Sequence, residues 1–577
     1  MHKTCFIFWL SLIAGLFCGG ASAQDNDQPQ ITVVHPGLKS LTEDLLSLTE
    51  LTDEEEREYG AELEAFIQDI SMGMDITRPI RVDILVGDGP LNYLVWLPYP
   101  EPDEFLENLD SIGFPAFQQP GQSDLYVIDI DDGLEQGWLL MLDEPKYAAL
   151  AMTTPENNAT TKRQVTAAGN PAPTFVRLNE LGASVLATLT NGELSTDSQA
   201  KRRESFNELR AEDLGAIKKR PAESASEFEL RKGTSSIFYD ELERIYVETA
   251  SGSIWSFLDK ETTQLSISFD AAGIAETSFA ESVAQFGQAP DAFAGIQRLE
   301  DSVLSGRLNV PIDSLRQKGA ADFLTLLTTD IDSRIESSEI LQDAEKEATQ
   351  NIYNDVVEVF RNGFASGNVN GFVEAIHDGT AFTLVGAVSA PGSAQLTETL
   401  KQLPLARAGN TVELNFTTAD DITIHKISLA EGFAELADQI FGVGCEFLIG
   451  VGRDQFWLAT GPGSVELLAS KITESGTEAE ASEIALSVDA RLSPWINRLD
   501  ELAQERDMPD AVEERAAWRE DLLQLKQLSE SLASEDQLSL SLTGAAEKLS
   551  GVLTLNRGLL TFIGRQITRM TKENLEL

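Results

Sequence analysis

Asp129, Asp131 and Asp132, in the run IDIDDG, have the residue types and spacing that open a calcium loop, where neighbouring carboxylates share one hard cation. The pattern stops early. An EF-hand loop carries glycine at its sixth position and glutamate at its twelfth, whereas Gly133 stands fifth here and Leu140 twelfth. The three acids are therefore candidate metal ligands only as the acidic end of a strand, and Asp420-Asp421, ahead of Ile422 to Ile427, reads as a comparable edge later in the chain. His35, His377 and His425 could bind zinc by type, but none lies within helical or hairpin spacing of another. His377 beside Asp378 has the pairing used in acid–base chemistry. Gly182-Ala183-Ser184-Val185-Leu186 misses the nucleophile-elbow pattern at its last position. Gly461-Pro462-Gly463-Ser464 opens a helix whose first amides could face an anion, without the lysine of a phosphate loop. Trp96, in the apolar second strand of the hairpin, and Trp495, which follows Pro494 near a strand end, suit a core more than a sugar platform. With 94 Asp and Glu, paired carboxylates for glycoside hydrolysis arise by number alone and identify nothing. No catalytic residue, and no cofactor besides a candidate calcium ion, is expected from these patterns.

Charge bounds the partners. The formal net charge is -51, distributed along 577 residues, and a field of that sign repels nucleic-acid phosphates and anionic lipid while attracting cations and basic proteins. Hydrophobic residues at 42% are enough for packed cores. The first residues follow the export pattern: His2 and Lys3, an apolar run from Cys5 to Phe17, and Ala21-Ser22-Ala23. That is a signal peptide over 1–23, cleaved between Ala23 and Gln24, which leads to a periplasmic or extracellular protein. After cleavage Cys445 is the one remaining cysteine, a small residue in an apolar run, so no internal disulfide is expected. No later stretch has the roughly 18 consecutive apolar residues that span a bilayer.

Two hairpin signals organise the rest. Val82 to Glu101 and Phe372 to Pro391 each join apolar runs across Asp-Gly, at Asp88-Gly89 and Asp378-Gly379, a pair that tolerates the positive φ of a type I′ turn. Before each lie a strand and two amphipathic helices: Ile31 to Val34, a capping box at Ser40 to Glu43, and a helix over about 54–70 in the first copy; Leu308 to Ile312 and helices carrying Phe323 to Leu327 and Ile352 to Phe360 in the second. A shift of 290 residues overlays the hairpins and one of 309 overlays Trp138 to Met152 on Phe447 to Thr460, so the second copy holds an insertion between Leu403 and Gly444. The alternating runs Thr262 to Phe269 and Asp536 to Leu542 close the two halves as matching strands.

The expected fold class is α+β, with two tandem similar units, each an antiparallel sheet with helices packed on it. The divisions are a polar arm at 24–30, a first unit at 31–290, a joint at 291–300 and a second unit at 301–577. The segment ASAQ after the apolar run, LSGRLNVPIDSLRQKG at Leu304 to Gly319 and the run LSVDARLSPWI give the sequence a layout that resembles uncharacterised, signal-bearing secreted proteins of planctomycete-type bacteria. That resemblance brings no activity and no site residues. The leading expectation is an exported, non-enzymatic binding or structural protein of the envelope or extracellular space, partnered by a protein or another envelope component. The alternatives are a carboxylate-dependent hydrolase of extracellular polymer and a calcium-dependent adhesion or assembly protein.

Overall fold

A computed structural model describes residues 31–575, apart from 53, 86–91, 131–134, 154–156, 191–195, 222, 476–479, 506–522, 524, 533–534 and 546. The signal peptide, the arm at 24–30, Asp88-Gly89, Asp131 and Asp132 lie outside the described residues. The chain divides into two compact units. The first holds residues up to Ala211, Ile245–Ala275 and Thr554–Leu577; the second holds Glu212–Arg244 and Glu276–Leu553.

The first unit contains β1 (Ile31–His35), β2 (Ile80–Leu85), β3 (Asn92–Pro98), β4 (Ala116–Gln118), β5 (Leu125–Ile130), β6 (Glu135–Leu142), β7 (Tyr147–Thr153), β8 (Val185–Thr190), β9 (Thr249–Asp259) and β10 (Gln264–Gly273). They pair antiparallel in the order β4-β5-β6-β7-β3-β2-β1-β8-β9-β10. In the second unit, β11 (Pro290–Asp291) is followed by β12 (Ser302–Pro311), β13 (Asn368–His377), β14 (Phe382–Ser389), β15 (Thr411–Ala419), β16 (Ile422–Ser428), β17 (Phe447–Val451), β18 (Gln455–Thr460), β19 (Glu480–Ala481), β20 (Ile484–Arg491), β21 (Gln537–Ala545) and β22 (Lys548–Leu555). Here the order is β15-β16-β17-β18-β14-β13-β12-β20-β21, again antiparallel throughout, while β11 and β19 form a separate short ladder. Strand for strand, the two sheets follow one plan. The fold is α+β, built twice.

The registers correct the overlay by one residue. Asp83 opposes Leu94 and Trp96 opposes Ala149 in the first sheet; Glu374 opposes Val385 and Ala387 opposes Trp457 in the second. Leu94, Trp96 and Ala149 share one core with Val165 and Phe175, and Val385, Ala387 and Trp457 share the corresponding core with Leu468 and Ile472. Leu94 therefore matches Val385, a shift of 291, where 290 would set it on the opposite face, because side chains alternate across a strand. The closing strands also differ from expectation. β21 pairs with β20 as β9 pairs with β8, so Asp536 to Leu542 corresponds to β9 and not to Thr262 to Phe269.

Each helical layer is completed by chain from the other half of the sequence. The helix Arg557–Leu575 packs on Leu38–Thr49 and Glu54–Ile70 in the first unit, where Gly564 lies so close that a Cβ there would stand 2.2 Å from the Leu48 carbonyl oxygen. In the second unit, Gly233 admits Leu326 and Gly319 admits Ile237, while Arg244 donates to Asp313 at 2.8 Å. These contacts make the units interleaved in sequence and not tandem at one joint. Residues 291–300 are not a free joint either: Phe293 and Ile296 are buried in the second core, where Phe293 meets the Phe372 and Trp457 rings. They belong to the core of the second unit as Phe175 and Leu178, on the helix Ala172–Leu181, belong to that of the first.

Local starts differ in detail. The helix Leu38–Thr49 begins at Gly37, two carbonyl oxygens lying 2.7 Å from where a Cβ would be, so Ser40 and Glu43 sit inside it instead of capping it. Asp313 does cap the helix Ser314–Ser337, accepting from Leu315 and Arg316 amides at 3.0 and 3.1 Å. At the second hairpin only Gly379 has positive φ. The turn is closed by the Asp378 carboxylate, which accepts from the Thr380 and Ala381 amides at 2.8 and 2.9 Å.

Candidate functional site: a depression repeated in both units

The shared plan brings a turn and a helix end together at one end of each sheet. In the first unit the turn between β4 and β5 supplies Gln122, and the helix Asn158–Thr166 that follows β7 supplies Ala159, Lys162, Arg163 and Thr166. They line an open depression of about 430 Å³. In the second unit the turn between β15 and β16 supplies Asp420 and Asp421, the turn between β17 and β18 supplies Arg453, Asp454 and Gln455, and the end of the helix Ser464–Ser475 supplies Ile472, Thr473 and Ser475. That depression measures about 640 Å³. Position in the plan is common to both, but the charge is reversed: among the described residues, two cations and no carboxylate line the first, three carboxylates and one guanidinium the second.

Packing beneath fixes these groups. Lys162 lays its ammonium over the Trp138 ring at 4.6 Å from the centroid, and the Trp138 indole donates to Asn158 Oδ1 at 2.5 Å. In the second unit Asp420 takes a left-handed φ of 48°, which lets a two-residue connection join β15 to β16. Behind it, Ile422 and Ile472 belong to the core that holds Trp457.

The strongest buried ionic groups lie elsewhere and are engaged in the fold. Asp83, fully buried on β2, accepts from Thr32 Oγ1 at 2.8 Å, Arg81 Nε at 2.7 Å and the Trp96 indole at 2.8 Å. Its counterpart Glu374 on β13 faces the buried Lys471 ammonium at 3.4 Å, and burial pushes the Glu374 carboxyl above the usual range. Lys471 also donates to Glu474 at 3.1 Å and to the Gln297 carbonyl, which ties residues 292–299 over the sheet. Neither carboxylate lines a depression. Sequence reading missed this pair, since an acid inside an apolar strand, as in VDIL and VEAI, was the available signal.

The residues expected from sequence are scattered. His35 lies in the first unit and accepts from the Gly37 amide at 3.1 Å, with burial pulling it down to about 4. His377 packs on Phe382 at 4.5 Å, and its neighbour Asp378 is held at about 2 by the turn amides. His425 is buried in β16, where its Nδ1 accepts from the Asn415 amide at 3.1 Å and burial lowers it. Burial raises Cys445. Trp96 is buried, and Trp495 stacks on Phe382 at 4.0 Å; both are core residues. Asp129, half-buried, is the last residue but one of β5, at the far end of that strand from the β4–β5 turn, so it and Asp420-Asp421 occupy opposite ends of equivalent strands. Among the described residues, no three His, Cys, Asp or Glu gather closely enough to hold a metal ion. Among them, too, no helix is long and apolar enough to cross a membrane.

No protein-family model and no curated protein matches the chain. Among solved structures it is similar to TP0453 in crystal form IV, with a TM-score of 0.22 and 7% identity over 42% of this chain and 77% of that one. It is likewise similar to TP0453 in crystal form I, with a TM-score of 0.21 and 9% identity over 45% of this chain and 83% of that one. Likeness of that degree carries no argument about function.

Proposed function

We propose that the protein is exported, to the periplasm or beyond, and acts there as a non-enzymatic binding protein of the envelope, using the two equivalent depressions as separate sites of opposite charge. The observation that carries this reading is the reversal of lining charge at one position of a repeated fold whose cores match strand for strand. The Lys162 and Arg163 depression suits the oxyanions of a sulfated or carboxylated polymer, with Ala159 and the Thr166 methyl against its backbone. The Asp420, Asp421 and Asp454 depression suits an organic cation, such as the amines of a basic polypeptide, better than a coordinated metal, because its carboxylates do not converge on one point. A hydrolase would need a carboxyl held protonated beside an ionised one inside a cleft. Among the described residues, the carboxyl that burial raises, Glu374, is committed to Lys471.

Calorimetric titration of the full-length protein with dextran sulfate and with spermine tests the reading. Lys162→Gln with Arg163→Gln should weaken dextran sulfate about tenfold and leave spermine unchanged, as the loss of about 1.4 kcal/mol at one site requires. Asp420→Asn with Asp421→Asn and Asp454→Asn should do the reverse. If both variant sets bind both probes like the parent protein, the depressions are not the sites.

A further inference from the structure

Among the connections in which the second unit departs from the first is the one between β16 and β17. β5 and β6 are joined by four residues, 131–134, whereas β16 and β17 are joined by Leu429 to Glu446, which contains the helix Phe433–Phe441. This is the insertion expected between Leu403 and Gly444. Its inner face is packed: Ala437 is buried, and Ile440 and Phe441 lie against Phe382 and Val303. Its outer face is apolar as well. Phe433 is 51% exposed, Leu436 53% and Val443 96%. The Arg407 guanidinium lies over the Phe433 ring at 4.4 Å, which brings alongside the short helix Leu403–Ala406, whose Leu405 is 64% exposed.

Folding gives this helix no reason to present Phe433 and Leu436 to water beside the exposed Glu435 and Gln439. Its inner face already holds it to the sheet.

We propose that this stripe is a membrane-surface contact, inserting Leu405, Phe433, Leu436 and Val443 into the headgroup region of an uncharged or zwitterionic bilayer without crossing it. Area separates this from a protein partner. Four partly exposed side chains offer on the order of a few hundred Å², short of the roughly 800 Å² per side that a stable protein interface buries. A bilayer needs only that a few apolar groups leave water. Shape agrees, because the stripe stands on a helix packed by its other face, with Gly432 and Gly442 at its ends. Charge selects the lipid. Glu431 and Glu435 neighbour Phe433 and Leu436 along the chain and the chain carries -51, so anionic headgroups are repelled while zwitterionic ones are not. Arg407 stands beside Phe433, where its guanidinium can stay at headgroup depth.

The test is flotation of the mature protein, beginning at Gln24, with phosphatidylcholine vesicles. The parent protein should float, and Phe433→Ser with Leu436→Ser and Val443→Ser should cut the floated fraction about tenfold at an unchanged melting temperature. Leu405→Ser alone, distant in sequence from the helix, should give a partial loss. Ile340, 91% exposed but outside the stripe, serves as the control, and Ile340→Ser should float like the parent. Replacing a third of the lipid by phosphatidylglycerol should reduce flotation at low salt. The proposal is overturned if the parent stays with the dense fraction, if Ile340→Ser loses as much as the triple variant, or if light scattering shows a dimer that the triple variant abolishes.

Discussion

The two sheets fill one triangle of positions in opposite ways. In the first unit Trp96 on β3 fills the volume, with Ala149 opposite it on β7 and Leu140 beyond on β6. In the second, Ala387 on β14 leaves the volume empty and Trp457 on β18 takes it, with Gly450 opposite on β17, where a Cβ would stand 2.8 Å from the Trp457 Cβ. The indole has moved one strand over, and glycine replaces leucine at the third position to admit it. Its nitrogen has changed partner too, from the Asp83 carboxylate to Gln455 Oε1 at 3.1 Å. That leaves the second unit's buried acid, Glu374, without an indole donor, and Lys471 supplies the charge instead. The lesson is that a core specifies volume and satisfied polar groups, not residue identities at fixed positions.

Four measurements would break or sharpen the comparison. The largest effect belongs to the indole: Trp457→Ala should cost about 3 to 5 kcal/mol in urea unfolding. Adding Ala387→Trp and Gly450→Leu, which rebuilds the first unit's triangle, should recover part of that loss. Losses that simply add across the three changes would show that the triangles are not equivalent.

The buried acids come next. Asp83→Ala strands the Arg81, Thr32 and Trp96 donors, and Lys471→Met strands Glu374, each at about 3 kcal/mol. Glu374→Gln combined with Lys471→Met should return most of the second loss, whereas no single change should rescue Asp83→Ala. Equal behaviour of the two sites in denaturant titrations would erase the distinction drawn between them.

Acid should separate the units more gently. His35 in β1 is held at about 4 by burial, and the equivalent position in β12 is Leu308, which does not titrate. A folded value below the unfolded one means that His35's contribution is complete above about pH 6.5 and is lost as pH falls towards 4, by at most about 3 kcal/mol. His35→Asn, whose Oδ1 can accept the Gly37 amide in place of Nδ1, should flatten stability over that window. An unchanged slope would assign it to other groups, His425 first among them. The smallest effect is at the surface: Leu436→Ser should change stability by less than about 0.5 kcal/mol, since that side chain packs on little within the second unit. A larger loss would mean that the inserted helix is part of the core.

Much of the plan was legible. Apolar runs joined at Asp-Gly, helical spacing ahead of each and alternation near each end together state an α+β unit and its repetition, because periodicity reports which side of an element meets the core. The place of the insertion was legible for the same reason. What slipped was register: Leu94-Val95 and Leu384-Val385 look identical in sequence, yet only the pairing with β7 and β18 shows that Leu94 matches Val385. Likewise the run at Thr262 to Phe269 could not be told from β9, since both alternate. The candidate acids at Asp129 to Asp132 were chosen by spacing along the chain. The depression lined by Asp420, Asp421 and Asp454 joins two turns more than 30 residues apart.

By itself, then, the sequence determined the elements, their repetition, the acidity and the place of the insertion, all properties of neighbours along the chain. Only the tertiary structure decided which strand carries the indole for a shared volume, which helices complete each layer, and that Phe433 and Leu436 face outward while Ile440 and Phe441 face in. Those outcomes depend on contacts between residues far apart in sequence, and no local pattern encodes which of two apolar faces the rest of the chain will cover.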